Sequence, residues 1–262
     1  MRQGAALVTG GGRRLGAAMV RTLAARGLDV AIHCNASRED ADALAAEITA
    51  AEGVRAVVLP ADLLDREATA RLVPEAAARL GRPLTVLVNN ASIFEHDTLA
   101  TATWESWDRH LGSNLRAPFE LMQAFAAQAP KGARDAAGEP VASACIVNMV
   151  DQRVLKLTPE FSTYTIAKAG LWTLTRTAAQ GLAPDIRVNA IGPGPTLRGT
   201  RQSEPHFAAQ RNATILGRGA SPEEICAALA YILDAPGLTG QLLCIDGGQH
   251  LAWRTPDVLG VE

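Results

Sequence analysis

The sequence has few cysteines, little net charge and no long apolar run near its start, and each absence removes a class of function. Four cysteines occur in 262 residues, none in a CxxC pair: Cys34, Cys145, Cys226 and Cys244. Without such pairs, or a histidine at ligand spacing, neither a disulfide framework nor a zinc site is predicted. The five histidines show no metal-ligand pattern either. We therefore expect reduced thiols and no metal.

The charge balance gives no attraction to a polyanion. The formal net charge is -2 at pH 7 and the sequence pI is near 6.2, so binding to nucleic acid or to an anionic membrane surface has no electrostatic support. The apolar run ahead of the first glycines covers only residues 5–8, too short for a signal peptide or a membrane span. A small-molecule ligand and a cytoplasmic location are expected.

Apolar segments of two kinds alternate along the chain. Short β-rich runs are followed by alanine-rich stretches with helical spacing, which is the pattern of a parallel sheet covered by helices on both faces. With 48% apolar residues, a chain of this length is expected to form one α/β domain, residues 1–262. The prediction is a Rossmann-like, doubly wound, parallel seven-stranded sheet. Strands are expected at 5–9, 29–34, 55–60, 85–89, 144–148, 187–191 and 241–245, and helices at 15–26, 38–51, 66–80, 104–127, 161–182 and 222–233.

Two segments interrupt this alternation. Residues 130–143 are rich in Gly, Ala and charge, and we expect them to form an exposed insertion. Residues 193–219 contain three prolines and follow the end of a strand. Open α/β sheets hold their ligands beyond the C-terminal ends of the strands, so residues 193–219 are predicted to be a substrate loop.

The first strand leads into a glycine-rich turn and then directly into a helix. The turn reads Thr9-Gly10-Gly11-Gly12-Arg13-Arg14-Leu15-Gly16. Backbone N–H groups and the helix dipole favour a pyrophosphate in this context. A flexible turn without a ligand is the alternative.

The end of the second strand lacks the carboxylate that NAD-preferring sites usually use to accept the ribose hydroxyls. The segment reads Ile32-His33-Cys34-Asn35-Ala36-Ser37-Arg38. Together with Arg13 and Arg14, it offers donors and positive charge for a 2′-phosphate, which favours NADPH. The arginines could instead face solvent, and for Arg38 both possibilities stay open.

Polar residues also follow the third and fourth strands. Asp62 could accept a hydrogen bond from an adenine amino group, or it could be the N-cap of the helix that follows. The fourth strand is followed by Asn89-Asn90-Ala91-Ser92. Both segments are expected at the edge of the sheet where the cofactor lies.

Tyr164 and Lys168 are four residues apart on a predicted helix, so both side chains lie on one face. A free tyrosine titrates near pH 10, and it works as an acid or base at neutral pH only if nearby positive charge stabilises its phenolate. Lys168 can supply such a charge. Because the pair follows the fifth strand of a dinucleotide-type fold, it is predicted to be the chemical centre.

At this point the sequence resembles the short-chain dehydrogenase/reductase family over essentially its whole length. The resemblance rests on motifs that appear in the family's order: the glycine turn, Asp62, Asn89-Asn90-Ala91, Asn114, Tyr164 with Lys168, Pro193-Gly194 and Asp246-Gly247-Gly248. The last of these lies at a subunit interface in the family. A homotetramer is therefore implied.

The resemblance also implies residue roles. Tyr164 would act as acid or base, Lys168 would hold the nicotinamide ribose, and Asn114 would support a proton-relay water. Asn114 could instead satisfy helix backbone. The residues expected to contact NADPH are Gly10, Gly12, Arg13, Arg14, Leu15, Gly16, His33, Asn35, Ser37, Asp62, Leu63, Asn90, Ala91, Ser92, Tyr164, Lys168, Pro193 and Gly194.

Two residues depart from the common family pattern. Arg14 stands where most members have a third glycine, and Asp151 stands where most have a serine, thirteen positions before the tyrosine. Pteridine reductases and bacterial dihydromonapterin reductases show both features, with an Asn-Ala-Ser stretch and a nearby aromatic, matched here by residues 90–92 and Phe94. The sequence is therefore similar to this branch of the family.

The chemistry of Asp151 points the same way. A serine hydroxyl can donate to a ketone oxygen, whereas an ionised carboxylate cannot and would repel a developing alkoxide. A pterin offers N–H donors that a carboxylate accepts, and a buried Asp151 with a raised pKa could supply the proton its ring nitrogen needs. Asp151 could also merely cap the next segment. The expected substrate contacts are Arg14, Ser92, Phe94, Asp151 and Tyr164.

Without the resemblance, Phe94 would be read as packing under a loop and Arg14 as a solvated helix charge. The function predicted is hydride transfer from NADPH to a C=N bond of a dihydropterin, such as dihydrobiopterin or dihydromonapterin, in folate or pterin metabolism. One alternative is the reduction of a ketone or 3-oxoacyl substrate. The other is a dinucleotide-sensing protein without chemistry, which the Tyr164/Lys168 pair argues against.

Overall fold

Seven short apolar segments form one parallel sheet in the computed structural model, which describes residues 4–199 and 202–254. The sheet order is β3-β2-β1-β4-β7-β8-β9, and every neighbouring pair in it is parallel. The predicted fold class is confirmed. In chain order the strands are β1 Ala5–Val8, β2 Asp29–Cys34, β3 Ala56–Pro60, β4 Val86–Asn89, β7 Ala144–Met149, β8 Ile186–Pro193 and β9 Leu242–Ile245, with a small ribbon of β5 Ala133–Arg134 and β6 Pro140–Val141 between β4 and β7.

Helices cover both faces because alternate strand residues point to opposite sides. In β1, for example, Ala6 and Val8 join one apolar core, whereas Ala5 and Leu7 join the other. The first core is covered by α1 Arg14–Ala25, α2 Arg38–Glu52 and α8 Pro222–Asp234, and the second by α3 Arg66–Leu80, α5 Ala117–Gln128 and α6 Ser162–Gly181.

The helix predicted at 104–127 is wrong in one respect. It is divided into α4 Trp104–Leu111 and α5 by a π-helical turn, Gly112–Arg116. The physical reason is Asn114, which is fully buried and turns its side-chain amide to the backbone of Ile93. Such turns are frequent at functional sites.

The two irregular segments contain elements that the sequence pattern did not reveal. Residues 193–219 include α7, Glu204–Asn212, which has no buried residue and therefore no apolar period to detect. The insertion at 130–143 is exposed as predicted, and its short ribbon is tied down by Asp185, which accepts from Gly132 N at 2.8 Å and from Lys131 Nζ at 2.9 Å.

The strand order reverses between β1 and β4, which is the topological switch point where such sheets bind ligands. The glycine turn, residues 90–94 and Asp151 all follow strands that end at this edge. Within the described residues, no helix is long and apolar enough to cross a membrane, and no cluster of His, Cys, Asp or Glu could hold a metal ion. The homotetramer and the cytoplasmic location stay predictions.

Asn148 joins the sheet to α6, and its replacement tests how much this link stabilises the fold. Its Oδ1 accepts from Asn89 Nδ2 at 2.8 Å, and its Nδ2 donates to Thr175 Oγ1 at 2.9 Å. Asn148→Ala leaves buried polar groups unpaired, so the free energy of unfolding should fall by about 2–4 kcal/mol. Urea denaturation measures this. The exposed Asn35→Ala should change it by less than about 0.5 kcal/mol, and an equal effect of both would contradict the assignment.

Candidate active site

The glycine turn is held against the end of β4 by a set of hydrogen bonds. Thr9 Oγ1 accepts from the backbone N–H groups of Asn90, at 2.9 Å, and Ala91, at 3.0 Å. In return, Asn90 Nδ2 donates to the carbonyls of Thr9, at 2.8 Å, and Gly10, at 3.1 Å. Asn90 is predicted to contact the cofactor. In the structure, its side chain holds the glycine turn in place.

Close packing of the turn leaves no room for a side chain at Gly16. A Cβ there would lie 2.0 Å from the carbonyl oxygen of Gly10. No side chain caps α1 at Arg13, and the first-turn N–H groups of a helix have no partner within the helix. This close, uncapped and positively polarised turn fits a pyrophosphate.

His33 holds the glycine turn in place through its imidazole ring. The ring is buried, its Nδ1 accepts from Gly10 N at 3.0 Å, and its Nε2 lies 3.1 Å from the carbonyl of Ala61. Burial lowers the pKa of His33, with partial opposition from the hydrogen bond to Ala61. The neutral ring has no free polar atom, so any effect of His33 on a cofactor acts through the turn.

The residues predicted for a 2′-phosphate gather beside the turn. Ser37 Oγ lies near Gly12, 3.1 Å from where a Cβ would be, and Arg13 reaches Asp40 at 2.5 Å with its side chain mostly exposed. Arg38 pairs with Asp42 at 3.3 Å along α2, which favours the solvent-facing alternative for Arg38.

Asp62 is not the N-cap of α3. That position belongs to Asp65, whose side chain accepts from Ala68 N at 3.1 Å. Asp62 is exposed and accepts from Leu64 N at 2.9 Å, while Leu63 is buried in the core. The carboxylate of Asp62 is therefore accessible, and its contact with an adenine amino group stays a prediction.

Tyr164, Lys168 and Asp151 come together at the start of α6. The hydroxyl of Tyr164 donates to Asp151 Oδ2 at 2.9 Å, and Lys168 Nζ donates to the carbonyl of Met149 at 2.7 Å. Asp151 Oδ1 accepts from Arg153 N at 2.8 Å. Asp151 therefore both caps the short turn that follows it and faces Tyr164 with its second oxygen.

Burial dominates the electrostatics of this group. Burial, and then the neighbouring charge of Asp151, raise the pKa of Tyr164 well above its ordinary value, although Arg153 and a hydrogen bond with Ser92 lower it. Burial also raises the pKa of Asp151 against the opposing effects of Arg153, Tyr164 and Lys168. Burial lowers the pKa of Lys168 to about 8, opposed by Asp151. The phenolate expected from Lys168 is thus disfavoured here, and burial favours the protonated form of both Tyr164 and Asp151.

Asn114 is committed to the loop after β4. Its Oδ1 accepts from Ile93 N at 2.9 Å and its Nδ2 donates to Ile93 O at 2.8 Å. The side chain of Asn114 therefore pairs with backbone groups, as the alternative expected, but these groups belong to a loop and not to a helix. Its part in a proton-relay water stays a prediction.

Phe94 stands beside the tyrosine and half of it is exposed. Its ring stacks on Phe161 with centroids 4.3 Å apart and meets Tyr164 edge to face at 4.7 Å. Phe94 therefore forms a wall of the site, which favours the substrate role over packing under a loop. Sequence reasoning missed Phe161. Its left-handed backbone conformation, φ 59°, is not visible in the sequence, so no local signal could have identified it.

A buried relay behind Tyr164 was also missed. Thr163 Oγ1 donates to Asp97 Oδ2 at 2.5 Å and lies 2.6 Å from His110 Nδ1, while His110 Nε2 accepts from Glu95 N at 3.1 Å. Burial would raise the pKa of Asp97, but hydrogen bonds from Thr163 and Ser106 outweigh it and lower that pKa. The relay fixes the first turn of α6 against the loop that carries Phe94.

Arg14 connects the glycine turn to the predicted substrate loop. Its backbone is left-handed, φ 54°, and its Nη2 donates to the carbonyls of Leu197, at 3.2 Å, and Arg198, at 3.0 Å. The base of this loop is fixed as well, since Gly194 N donates to Ile245 O at 3.0 Å. Arg14 is therefore bound to protein rather than simply solvated.

Comparison with known proteins gives the class. A family model described as enoyl-(acyl carrier protein) reductase matches residues 11–250. The crystal structure of FolM alternative dihydrofolate reductase 1 from Brucella suis, in complex with NADP, has a TM-score of 0.89 and 42% identity, covering 97% of this chain and 98% of that chain. The probable galactose dehydrogenase of Rhizobium meliloti (strain 1021) is 34% identical over 255 residues, 95% of each chain.

The chain therefore belongs to the short-chain dehydrogenase/reductase family of oxidoreductases. Its relatives are named for different substrates: the 3-oxoacyl-(acyl-carrier-protein) reductase of Staphylococcus aureus (strain Mu50) is 29% identical over 251 residues, 94% of this chain and 98% of that protein. The fold and family thus define the reaction type but not the substrate.

Gly16→Ala should weaken NADPH binding, because the new Cβ would overlap the carbonyl of Gly10. Overpacking of this kind costs about 1–3 kcal/mol, so the Kd should rise roughly five- to a hundredfold. Fluorescence titration with NADPH measures this. Gly181→Ala, where a Cβ meets nothing within 4 Å, is the control, and unchanged affinity in Gly16→Ala would refute the tight turn.

Thr163→Val tests the relay, because it keeps the shape and removes the hydroxyl between Asp97 and His110. The buried carboxylate and imidazole lose a partner, so the free energy of unfolding should drop by about 2–4 kcal/mol. With the first turn of α6 loosened, kcat should fall while the Kd for NADPH stays within about twofold. Thr163→Ser retains the hydroxyl and should preserve kcat. Equal kcat in both variants would exclude a positioning role.

Proposed function

We propose that this protein is an NADPH-dependent reductase that acts on the C=N bond of a dihydropterin. The observation that carries the proposal is the 2.9 Å hydrogen bond between Tyr164 and the partly buried carboxyl of Asp151. A carboxyl at this position suits a substrate with N–H donors and a ring nitrogen that must be protonated.

The glycine turn and the residues around it support NADPH as cofactor. Gly16 and the uncapped α1 fit a pyrophosphate, and the end of β2 offers Asn35 and Ser37 where NAD-preferring sites carry an acidic residue. The FolM structures of Brucella suis and Brucella canis were both obtained with NADP. When bound, NADPH supplies the hydride.

The protein's own residues manage orientation and protons. Lys168, anchored to the carbonyl of Met149, is placed to hold the nicotinamide ribose. Asp151 retains its proton to a higher pH than an ordinary carboxyl because it is buried, so it can protonate the ring nitrogen, directly or through Tyr164. The ring carbon gains the hydride and the nitrogen gains the proton, which completes the reduction of C=N to CH–NH.

The walls of the site support a flat heterocycle. Phe94 offers a half-exposed ring beside Tyr164 on which such a ring can stack. Ser92 lies at the tyrosine hydroxyl. Arg14 donates to the substrate loop, where a guanidinium can also meet a polar edge of the substrate.

Ketone or 3-oxoacyl reduction is the competing activity, and the reductase of Staphylococcus aureus favours it. Asp151 argues against it, because a ketone has no N–H group to offer the carboxyl, and the Tyr164 hydroxyl already donates to Asp151 Oδ2.

The test is NADPH oxidation at 340 nm with 7,8-dihydrobiopterin and 7,8-dihydromonapterin beside a panel of ketones. Asp151→Ser should lower kcat/KM for the pterins by roughly a hundredfold or more, because it removes the general acid. Ketone reduction should stay level or rise. NADPH affinity, unchanged within about twofold, serves as the control for an intact cofactor site. Wild-type protein that reduces ketones and ignores pterins would overturn the proposal.

A further inference from the structure

Arg153 places a positive charge at the outer end of the aromatic wall. It belongs to the short 3₁₀ turn Gln152–Val154 that Asp151 caps, and its guanidinium carbon lies 5.0 Å from the ring centroid of Phe161. Phe161 in turn stacks on Phe94. Contacts therefore run without interruption from the reacting group at Tyr164, through two phenylalanine rings, to a guanidinium.

The charge of Arg153 is not neutralised by an ion pair. Among residues 4–199 and 202–254, no carboxylate lies within salt-bridge distance of the Arg153 guanidinium. The one side-chain hydrogen bond of Arg153 goes from Nη1 to the neutral Thr158 Oγ1 at 2.7 Å. Its Nε is buried without a partner. Its Nη2 makes no hydrogen bond to the described residues, and a guanidinium with such a donor beside a substrate site is suited to a carboxylate or phosphate.

The acidic residues of this rim have other partners. Glu160, next to Phe161, forms an ion pair with His96, and Glu95 pairs with Arg109 at 3.1 Å. The charge of Arg153 lowers the pKa of Asp151 and so opposes the effect of burial, which raises it. Its Oδ1 contacts the backbone N–H of Arg153 and its Oδ2 contacts Tyr164, so the guanidinium itself stays available.

We propose that Arg153 determines substrate specificity by binding an anionic group on the side chain of the pterin. The preferred substrate is then a dihydropterin with a carboxylate- or phosphate-bearing substituent, such as a glutamyl tail or a phosphate ester, rather than one with a neutral polyol. This inference rests on the pterin reductase activity proposed above. It adds a second recognition point to Asp151, on the far side of the Phe94–Phe161 stack.

The test compares 7,8-dihydrofolate, 7,8-dihydroneopterin monophosphate and neutral 7,8-dihydrobiopterin as substrates of the NADPH-loaded enzyme. Arg153→Gln should lower the ratio of kcat/KM for an anionic substrate to that for dihydrobiopterin by roughly tenfold, mainly through KM. The ratio is the readout, because loss of the Arg153 charge also acts on Asp151 and Tyr164 and so changes the rates of all three substrates together. Whichever anionic substrate shows the drop identifies the carboxylate or the phosphate as the group bound.

Two variants serve as controls. Arg153→Lys keeps the charge without the planar donors and should give an intermediate ratio. Lys156→Gln removes a charge from the same segment, but its Nζ points to the carbonyl of Gln249 at 3.4 Å, so the ratio should not change. A ratio in Arg153→Gln within about twofold of wild type for both anionic substrates would overturn the inference while leaving the proposed function intact.

A binding measurement separates the two proposals if no pterin is turned over, which would reject the proposed function. Quenching of tryptophan fluorescence by folic acid, in the presence of NADP+, reports binding without chemistry. Roughly tenfold weaker binding in Arg153→Gln than in wild type would support an anion site. No binding to wild type, or equal binding to both proteins, would reject it.

Discussion

The hydrogen bond between Tyr164 and Asp151 is the constraint on which the chemistry of the site depends. Tyr164 is buried and Asp151 is partly buried, and burial raises the pKa of each. A serine in place of Asp151 would leave the phenol free to ionise under the influence of Lys168. The carboxyl instead keeps Tyr164 protonated and is itself the more acidic group. Under the proposed function, the carboxyl at this position replaces assistance to a carbonyl with proton delivery to a ring nitrogen.

The rest of the structure holds this pair in register with the cofactor turn. Thr9 and Asn90 bind the ends of β1 and β4 to each other, and Asn114 fixes Ile93 in the loop that follows β4. Thr163 attaches the first turn of α6 to that same loop through Asp97. Since each link joins the C-terminal edge of one strand to a neighbouring loop or helix, the sheet order sets the site's geometry.

The fold could be predicted closely because a buried parallel sheet leaves a strong sequence pattern. The strand predicted at 29–34 and the helix at 66–80 have the bounds that the structure shows, since their apolar runs and caps are local signals. The π turn around Asn114 and the exposed α7 could not be found, because one depends on a contact with Ile93 and the other buries nothing. Tyr164 was predicted from its spacing to Lys168 and Asp151 from the family resemblance, whereas Phe161 and the relay of His110 exist only through contacts distant in sequence.

The distribution of charge in the site supports the proposal that the substrate is a heterocycle with N–H donors. Burial lowers the pKa of Lys168 to about 8 and raises that of Asp151, so burial opposes the charged form of both groups. A pterin offers N–H donors that this carboxyl can accept, whereas a ketone offers none. In the proposed reaction, the only charge carried by the substrate lies farther out, beside the guanidinium of Arg153, whose carbon lies 5.0 Å from the ring centroid of Phe161.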